Sequence, residues 1–172
     1  MIRRARIPGY GEQEVNVRAA RRVMLESRAM KAALLVESLT GNTWRAAELI
    51  ADDLSEERWT ITGLSRVRQP DYAAIQAADI VLVGTWVHGL IVVGVTPWGL
   101  AAVSQLPAMR GKQAAVFCTF AVNPRNSLEK LTGAVEATGA NVVGGLALHR
   151  GNLARHAEEF AGRLVEATTP AT

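Results

Sequence analysis

From residue 31 onward the chain switches between two hydrophobic periods. Ala32-Ala33-Leu34-Leu35-Val36, Ile80-Val81-Leu82-Val83 and Ala114-Ala115-Val116-Phe117 are short, unbroken apolar runs. Runs of that length suit strands buried on both faces, as in a parallel sheet. Between them the apolar positions recur at helical spacing: after Trp44, residues Ala46, Ala47, Leu49 and Ile50 fall on one face. The pattern predicts strands over 32–37, 58–62, 79–83, 113–119 and 141–148. It predicts helices over 44–54, 70–77, 96–105, 126–138 and 152–167. Gly139 and Gly151 fall where the chain must reverse, and Asn126 and Asn152 are candidate N-caps. Strict alternation of five strands and five helices implies an α/β fold with helices on both faces of a parallel sheet.

The segment Ile80 to Met109 has thirty residues without Asp, Glu, Lys or Arg, long enough for a membrane span. Its internal pattern argues otherwise. A β-branched run at 80–83 is followed by Gly84, Gly89, Gly94 and Gly99, with His88, Thr96 and Pro97 among them. Strand, loop, and a helix capped by Thr96 with Pro97 in its first turn account for every breaker. No membrane span is expected.

Charge is unevenly distributed. The 172 residues carry a net +3, but residues 1–30 alone hold seven Arg against Glu12, Glu14 and Glu26. The rest is close to neutral, so the body offers no electrostatic case for nucleic acid. The first thirty residues lack the continuous apolar run of a secretory signal. They read as a flexible basic arm, or as an extension upstream of a domain covering 31–168. One cysteine, Cys118, excludes an intrachain disulfide and fits a reducing, cytoplasmic setting. No His, Cys and carboxylate set has the spacing of a metal site.

The candidate chemistry lies in three loops at the carboxyl ends of the strands. In an α/β sheet, ligands bind at those ends, where the strand order reverses. Residues 38–43 read Ser38-Leu39-Thr40-Gly41-Asn42-Thr43, just ahead of a helix whose free N–H groups and dipole suit an anion. Thr43 before Trp44 would serve as an N-cap by itself, but four polar residues in six exceed what capping needs. The loop has no Lys or Arg, which suggests a phosphate monoester held by neutral donors. The second loop, 85–95, contributes Thr85, Trp86, Val87, His88 and Gly89, and the third, 119–125, contributes Thr119, Phe120 and Asn123. Phosphate donors in one loop and flat side chains in the other two suit a mononucleotide with a large aromatic ring. Trp86 is open between a core role and a ring-flanking one. For His88 a bond to backbone is expected ahead of a role at the ligand, and Cys118 reads as an inert buried thiol.

With these residues in place, the stretch 31–168 resembles a short-chain flavodoxin. The family's fingerprint runs from an apolar strand through Ser/Thr, a small residue and Thr to an Ala and an aliphatic. Here it reads Leu34-Leu35-Val36-Glu37-Ser38-Leu39-Thr40-Gly41-Asn42-Thr43, with Ala47 and Ile50 in register. Val36 stands where an aromatic is usual. The resemblance implies a three-layer flavodoxin-like fold with a five-stranded parallel sheet of order 2-1-3-4-5. It implies flavin mononucleotide (FMN), with the phosphate on Ser38, Thr40, Gly41, Asn42 and Thr43 and the ring between the second and third loops. Trp86 matches the ring-flanking aromatic of the second loop. Phe120 stands where the third loop usually has a stacking Tyr. Gly89 is a candidate for a backbone flip toward the ring, since glycine flips at low cost.

The implied function is electron transfer with redox partner proteins, a reductase and an acceptor. The alternative is an FMN-dependent reductase of quinone-type acceptors using NAD(P)H. No GxGxxG follows a strand, which favours the carrier. A phosphotransfer receiver on the same layout would need an acidic pair after the first strand, where Glu37 stands alone. Acids commonly rim the ring in the family, but residues 84–95 contain none and the third loop adds Arg125. A less negative potential for the last reduction step is therefore expected. Trp98 borders the site or a partner surface.

Overall fold

In a computed structural model of the chain, the described residues are 29–87 and 99–169. They form five strands: β1 (Lys31–Val36), β2 (Thr60–Arg66), β3 (Ile80–Trp86), β4 (Gln113–Phe120) and β5 (Asn141–His149). The helices are α1 (Asn42–Glu56), α2 (Tyr72–Ala77), α3 (Leu100–Val103), α4 (Ser127–Glu136) and α5 (Leu153–Thr168), with a 3-10 turn at Arg150–Asn152. All strand pairs are parallel, in the order β2-β1-β3-β4-β5. The order in which strands are added therefore reverses between β1 and β3, whose carboxyl ends flank the switch point.

The side chains of β1 divide between two cores, as the two-residue period of a strand requires. Ala32, Leu34 and Val36 pack with Ala46, Ala47, Ile50 and Leu54 of α1 and with Phe160 and Leu164 of α5. Leu35, with Val81, Val83 and Val116 of the neighbouring strands, faces Ile75, Val103, Leu131 and Val135 on the other side. The result is the expected three-layer arrangement of helices, sheet and helices.

The differences from the sequence expectation are local. β2 begins two residues later than expected and continues to Arg66. Gly63, which looks like a breaker, stays in the strand: a Cβ there would lie 2.7 Å from the Cβ of Ala74. Glycine is needed because α2 crosses at close range. Helix α1 starts two residues before Trp44, so Thr43 is inside it and is not its cap. Asn126 and Asn152 do occupy N-cap positions, although neither side chain makes a capping bond. Of the helix expected over 96–105, the described residues show a helix at Leu100–Val103, entered from Gly99 at φ 92°, with Ser104 and Gln105 beyond its end. Gly139, at φ 90°, reverses the chain after α4 as expected. The expectations placed on residues 1–28, His88, Gly89, Thr96, Pro97 and Trp98 lie outside the described residues. Among the described residues no helix is long and apolar enough to cross a membrane.

Candidate functional site

The first loop leaves β1 through a backbone bond from Glu37 N–H to the Gly84 carbonyl (2.8 Å), which ties it to β3. It then turns on local polar contacts. The Gly41 N–H donates to Ser38 Oγ (3.1 Å), and Asn42 Nδ2 donates to Thr40 Oγ1 (3.1 Å). Gly41 takes the left-handed conformation, φ 85°, and nothing lies within 4 Å of where its Cβ would be. Its glycine is required by backbone conformation rather than by space.

Helix α1 has no side-chain cap. Its first backbone bond of the i→i−4 kind runs from Arg45 N–H to the Gly41 carbonyl (2.8 Å). The N–H groups of Asn42, Thr43 and Trp44 precede that bond and are the orphan donors of a helix start. The hydroxyls of Ser38 and Thr40 lie in the same turn. Ser38 accepts from Gly41 and keeps its own proton for an acceptor.

Thr43 points into the protein and is fully buried; its Oγ1 is 2.7 Å from Oγ1 of Thr119, also buried. One hydroxyl of the pair donates to the other, which leaves one proton available. This contact joins the first and third loops. The second and third are joined by the Val87 N–H, which donates to the Thr119 carbonyl (2.9 Å). Thr85 is buried within β3 and Val87 is core, so neither side chain lines an open surface. Trp86, half-buried, ends β3 directly opposite Thr119.

The third loop is held from β5. His149 Nε2 lies 2.8 Å from the Ala121 carbonyl, and its ring meets Phe120 edge-on at 5.3 Å between centroids. The Gly151 N–H donates to His149 Nδ1 (3.2 Å). Because Nδ1 accepts, the neutral ring carries its proton on Nε2 and donates it to Ala121. Asn123 Oδ1 accepts from the Arg125 N–H (2.8 Å), closing a turn in which Arg125 has φ 44°. That bond steadies a left-handed backbone unusual for arginine.

Sequence reasoning missed three features of the site. His149 is one, because its partner is twenty-eight positions away. Glu37 is another: it is buried, accepts from Arg68 Nε (3.3 Å), and packs so close to Gly99 that a Cβ there would lie 3.0 Å from its Cγ. The third is Arg66. The parallel register sets Arg66 opposite Val36, and a cavity of about 320 Å³ beside the first loop is lined by Ser38, Gly41, Arg45 and Arg66. The loop itself has no cation, but the fold brings one from β2; only the full length of that strand would have revealed it. Behind the loops, burial pushes the Cys118 thiol up to about 12, so it stays protonated and unreactive.

The chain matches the family model described as a flavodoxin domain over residues 33–164. No curated protein matches. Among solved structures, an oxidised flavodoxin from Bacillus cereus is 21% identical with a TM-score of 0.60, over 79% of this chain and 97% of that one. A flavodoxin from Streptococcus pneumonia TIGR4 is 21% identical with a TM-score of 0.59, over 79% and 98%. A short-chain flavodoxin associated with a non-canonical PDU bacterial microcompartment is 18% identical with a TM-score of 0.59, over 82% and 99%. At such identities the likeness is one of fold. With the family model spanning most of its length and a β2-β1-β3-β4-β5 sheet, the chain belongs to the flavodoxin family.

Proposed function

We propose that the protein binds FMN at the carboxyl edge of the sheet and carries electrons between partner proteins. The observation that supports this best is the open start of α1. A fifteen-residue helix begins without a side-chain cap, at a loop of hydroxyls, an amide and a left-handed glycine. A phosphate there would serve as the missing cap, since N–H donors and the helix dipole both favour an anion. Ser38, Thr40, Asn42 and the amides of 42–44 would hold the phosphate, with the Thr43–Thr119 hydroxyl pair behind it. Arg66 would add a long-range attraction from the side of β2. The residues present therefore fit the group.

Once bound, FMN supplies reversible one- and two-electron chemistry; the chain's own residues bind it, orient it and set the polarity around it. Trp86, at the end of β3, and Phe120, at the end of β4, would flank the ring. Thr85 and Val87, being buried, would support the second loop rather than touch the ring. His88, Gly89 and Asn123 complete the proposed set. With no acid in 84–95 and Arg125 beside the third loop, a reduced ring bearing negative charge is favoured. The expected result is a less negative potential for the last reduction step than in acid-rimmed relatives, measured by redox titration.

The test is reconstitution. Purified protein mixed with FMN and desalted should retain a flavin absorbance band; loss of all flavin on desalting would refute the reading. Anaerobic addition of NADPH then separates carrier from reductase. A carrier keeps its flavin oxidised, whereas rapid bleaching would assign the protein to the reductases.

A further inference from the structure

We infer that His149 is a positioning residue for the flavin, acting through the peptide between Ala121 and Val122. Its imidazole turns that peptide so that the Val122 N–H donates to the hydrogen-bond-accepting edge of the ring and favours the reduced, negatively charged form. The inference rests on the FMN reading above.

The imidazole is held at both nitrogens. Nε2 donates to the Ala121 carbonyl (2.8 Å), and Nδ1 accepts from the Gly151 N–H (3.2 Å). The chain at Gly151 passes close to the ring: a Cβ there would lie 3.1 Å from Nδ1 and from Cε1. The backbone of His149 is pinned as well, because its N–H donates to His156 Nδ1 on α5 (3.0 Å). Phe120 meets the imidazole edge-on. The side chain that holds the Ala121 carbonyl is thus fixed by β5, by the 3-10 turn and by α5.

Fixing the carbonyl fixes the donor behind it. In a planar trans peptide the C=O and N–H point in opposite directions, and the described residues contain no cis bond. The Ala121 carbonyl points at His149, at the end of β5. The Val122 N–H therefore points away from it, and β3 lies on the other side of β4 from β5. Trp86, proposed to flank the ring, ends β3 there. Among the described residues the Val122 N–H has no hydrogen-bond partner, although the Arg125 N–H in the same loop is taken by Asn123. A peptide whose carbonyl already accepts a hydrogen bond is also the stronger donor at its N–H.

The last reduction step adds one electron and leaves negative charge on the ring. A hydrogen bond to a charged acceptor is stronger than one to a neutral acceptor, so this donor favours the reduced form and raises the potential. His149 itself stays one peptide away from the ring.

The test uses the full FMN-loaded chain and four variants. His149→Phe keeps a ring against Phe120 and loses the donor, whereas His149→Gln loses the ring and keeps a donor for Ala121. Val122→Pro removes the N–H itself, and the fourth variant combines it with His149→Phe. Each is titrated at one pH with dithionite, which supplies the electron, against a reference dye. His149→Phe and Val122→Pro should each lower the affinity for reduced relative to oxidised flavin by about tenfold, or about 59 mV in a one-electron step. His149→Gln should recover most of that loss, and the double variant should fall no further than Val122→Pro alone. An unchanged potential in His149→Phe, no recovery in His149→Gln, or additive losses in the double variant overturn the proposal. A second readout needs no flavin. In the isotopically labelled chain the carbonyl-carbon shift of Ala121 should move in His149→Phe and return in His149→Gln, and an unmoved shift also overturns the proposal. Failure to retain FMN shows as lost absorbance before any titration. It would refute the role at the ring together with the FMN reading, while the Ala121 shift still reports whether His149 holds the peptide.

Discussion

The first and third loops meet at the same site but are built differently. Residues 38–43 are held by their neighbours: Gly41 bonds to Ser38 and Asn42 to Thr40, within three positions of each other. Residues 119–125 have one local bond, from the Arg125 N–H to Asn123 Oδ1, but their ends are held from a distance, by Thr43 on one side and His149 on the other. A loop of the first kind gets its shape from local sequence; one of the second kind gets it from the assembled fold. This difference predicts that the first loop tolerates loosening of the sheet's far strands, whereas the third loop does not.

The contact shared by both loops should give the largest effect. Thr43→Val leaves the buried Thr119 hydroxyl without a partner, at a cost of about 1–3 kcal/mol in urea unfolding. The double variant Thr43→Val with Thr119→Val should cost no more than the single one, because no orphaned group remains. Additive losses would mean the two hydroxyls act independently. Next comes Gly41→Ala, which forces a Cβ onto a left-handed backbone. It should weaken FMN binding by an amount corresponding to about 1–2 kcal/mol, with amide exchange in the third loop unchanged.

The contrast also explains what could be read from the sequence. The hexapeptide and the register of Ala47 and Ile50 were legible because strand, turn and helix start follow one another directly. The order of elements was legible because β1, β3 and β4 are unbroken apolar runs. β2 was placed at 58–62, whereas the strand runs on through Gly63 to Arg66, and the approach of Ala74 from α2 explains why a glycine stands inside it. That error hid Arg66 from the site. The capping role open to Thr43 failed for a similar reason. Its side chain is taken by Thr119, seventy-six positions away, and no local pattern announces such a partner.

A smaller effect isolates the third loop. His149→Phe keeps a ring against Phe120 but removes the bond to the Ala121 carbonyl, a loss of about 0.5–1.5 kcal/mol. Amide exchange should quicken over 119–125 and stay unchanged over 38–43. Equal quickening in both loops would erase the distinction between them.

The smallest effect concerns the strand beneath the third loop. Burial holds the Cys118 thiol protonated up to about 12, against 9.0 for an unperturbed thiol. As pH rises past 9.0 the unfolded chain loses this proton while the folded chain keeps it, so stability falls across that window. Cys118→Ala should flatten the decline between pH 9 and 11, and at neutral pH the native thiol should resist aromatic disulfide reagents.

The central claim is that the start of α1 is a phosphate anchor, and comparing FMN with riboflavin tests it most directly. The two ligands share the ring and differ in the phosphate. Fluorescence titration of the purified protein should show FMN binding at least about 100-fold more tightly, as expected of several charge-assisted hydrogen bonds. Equal affinity for the two would contradict the account, because Ser38 to Thr43 would then hold no phosphate.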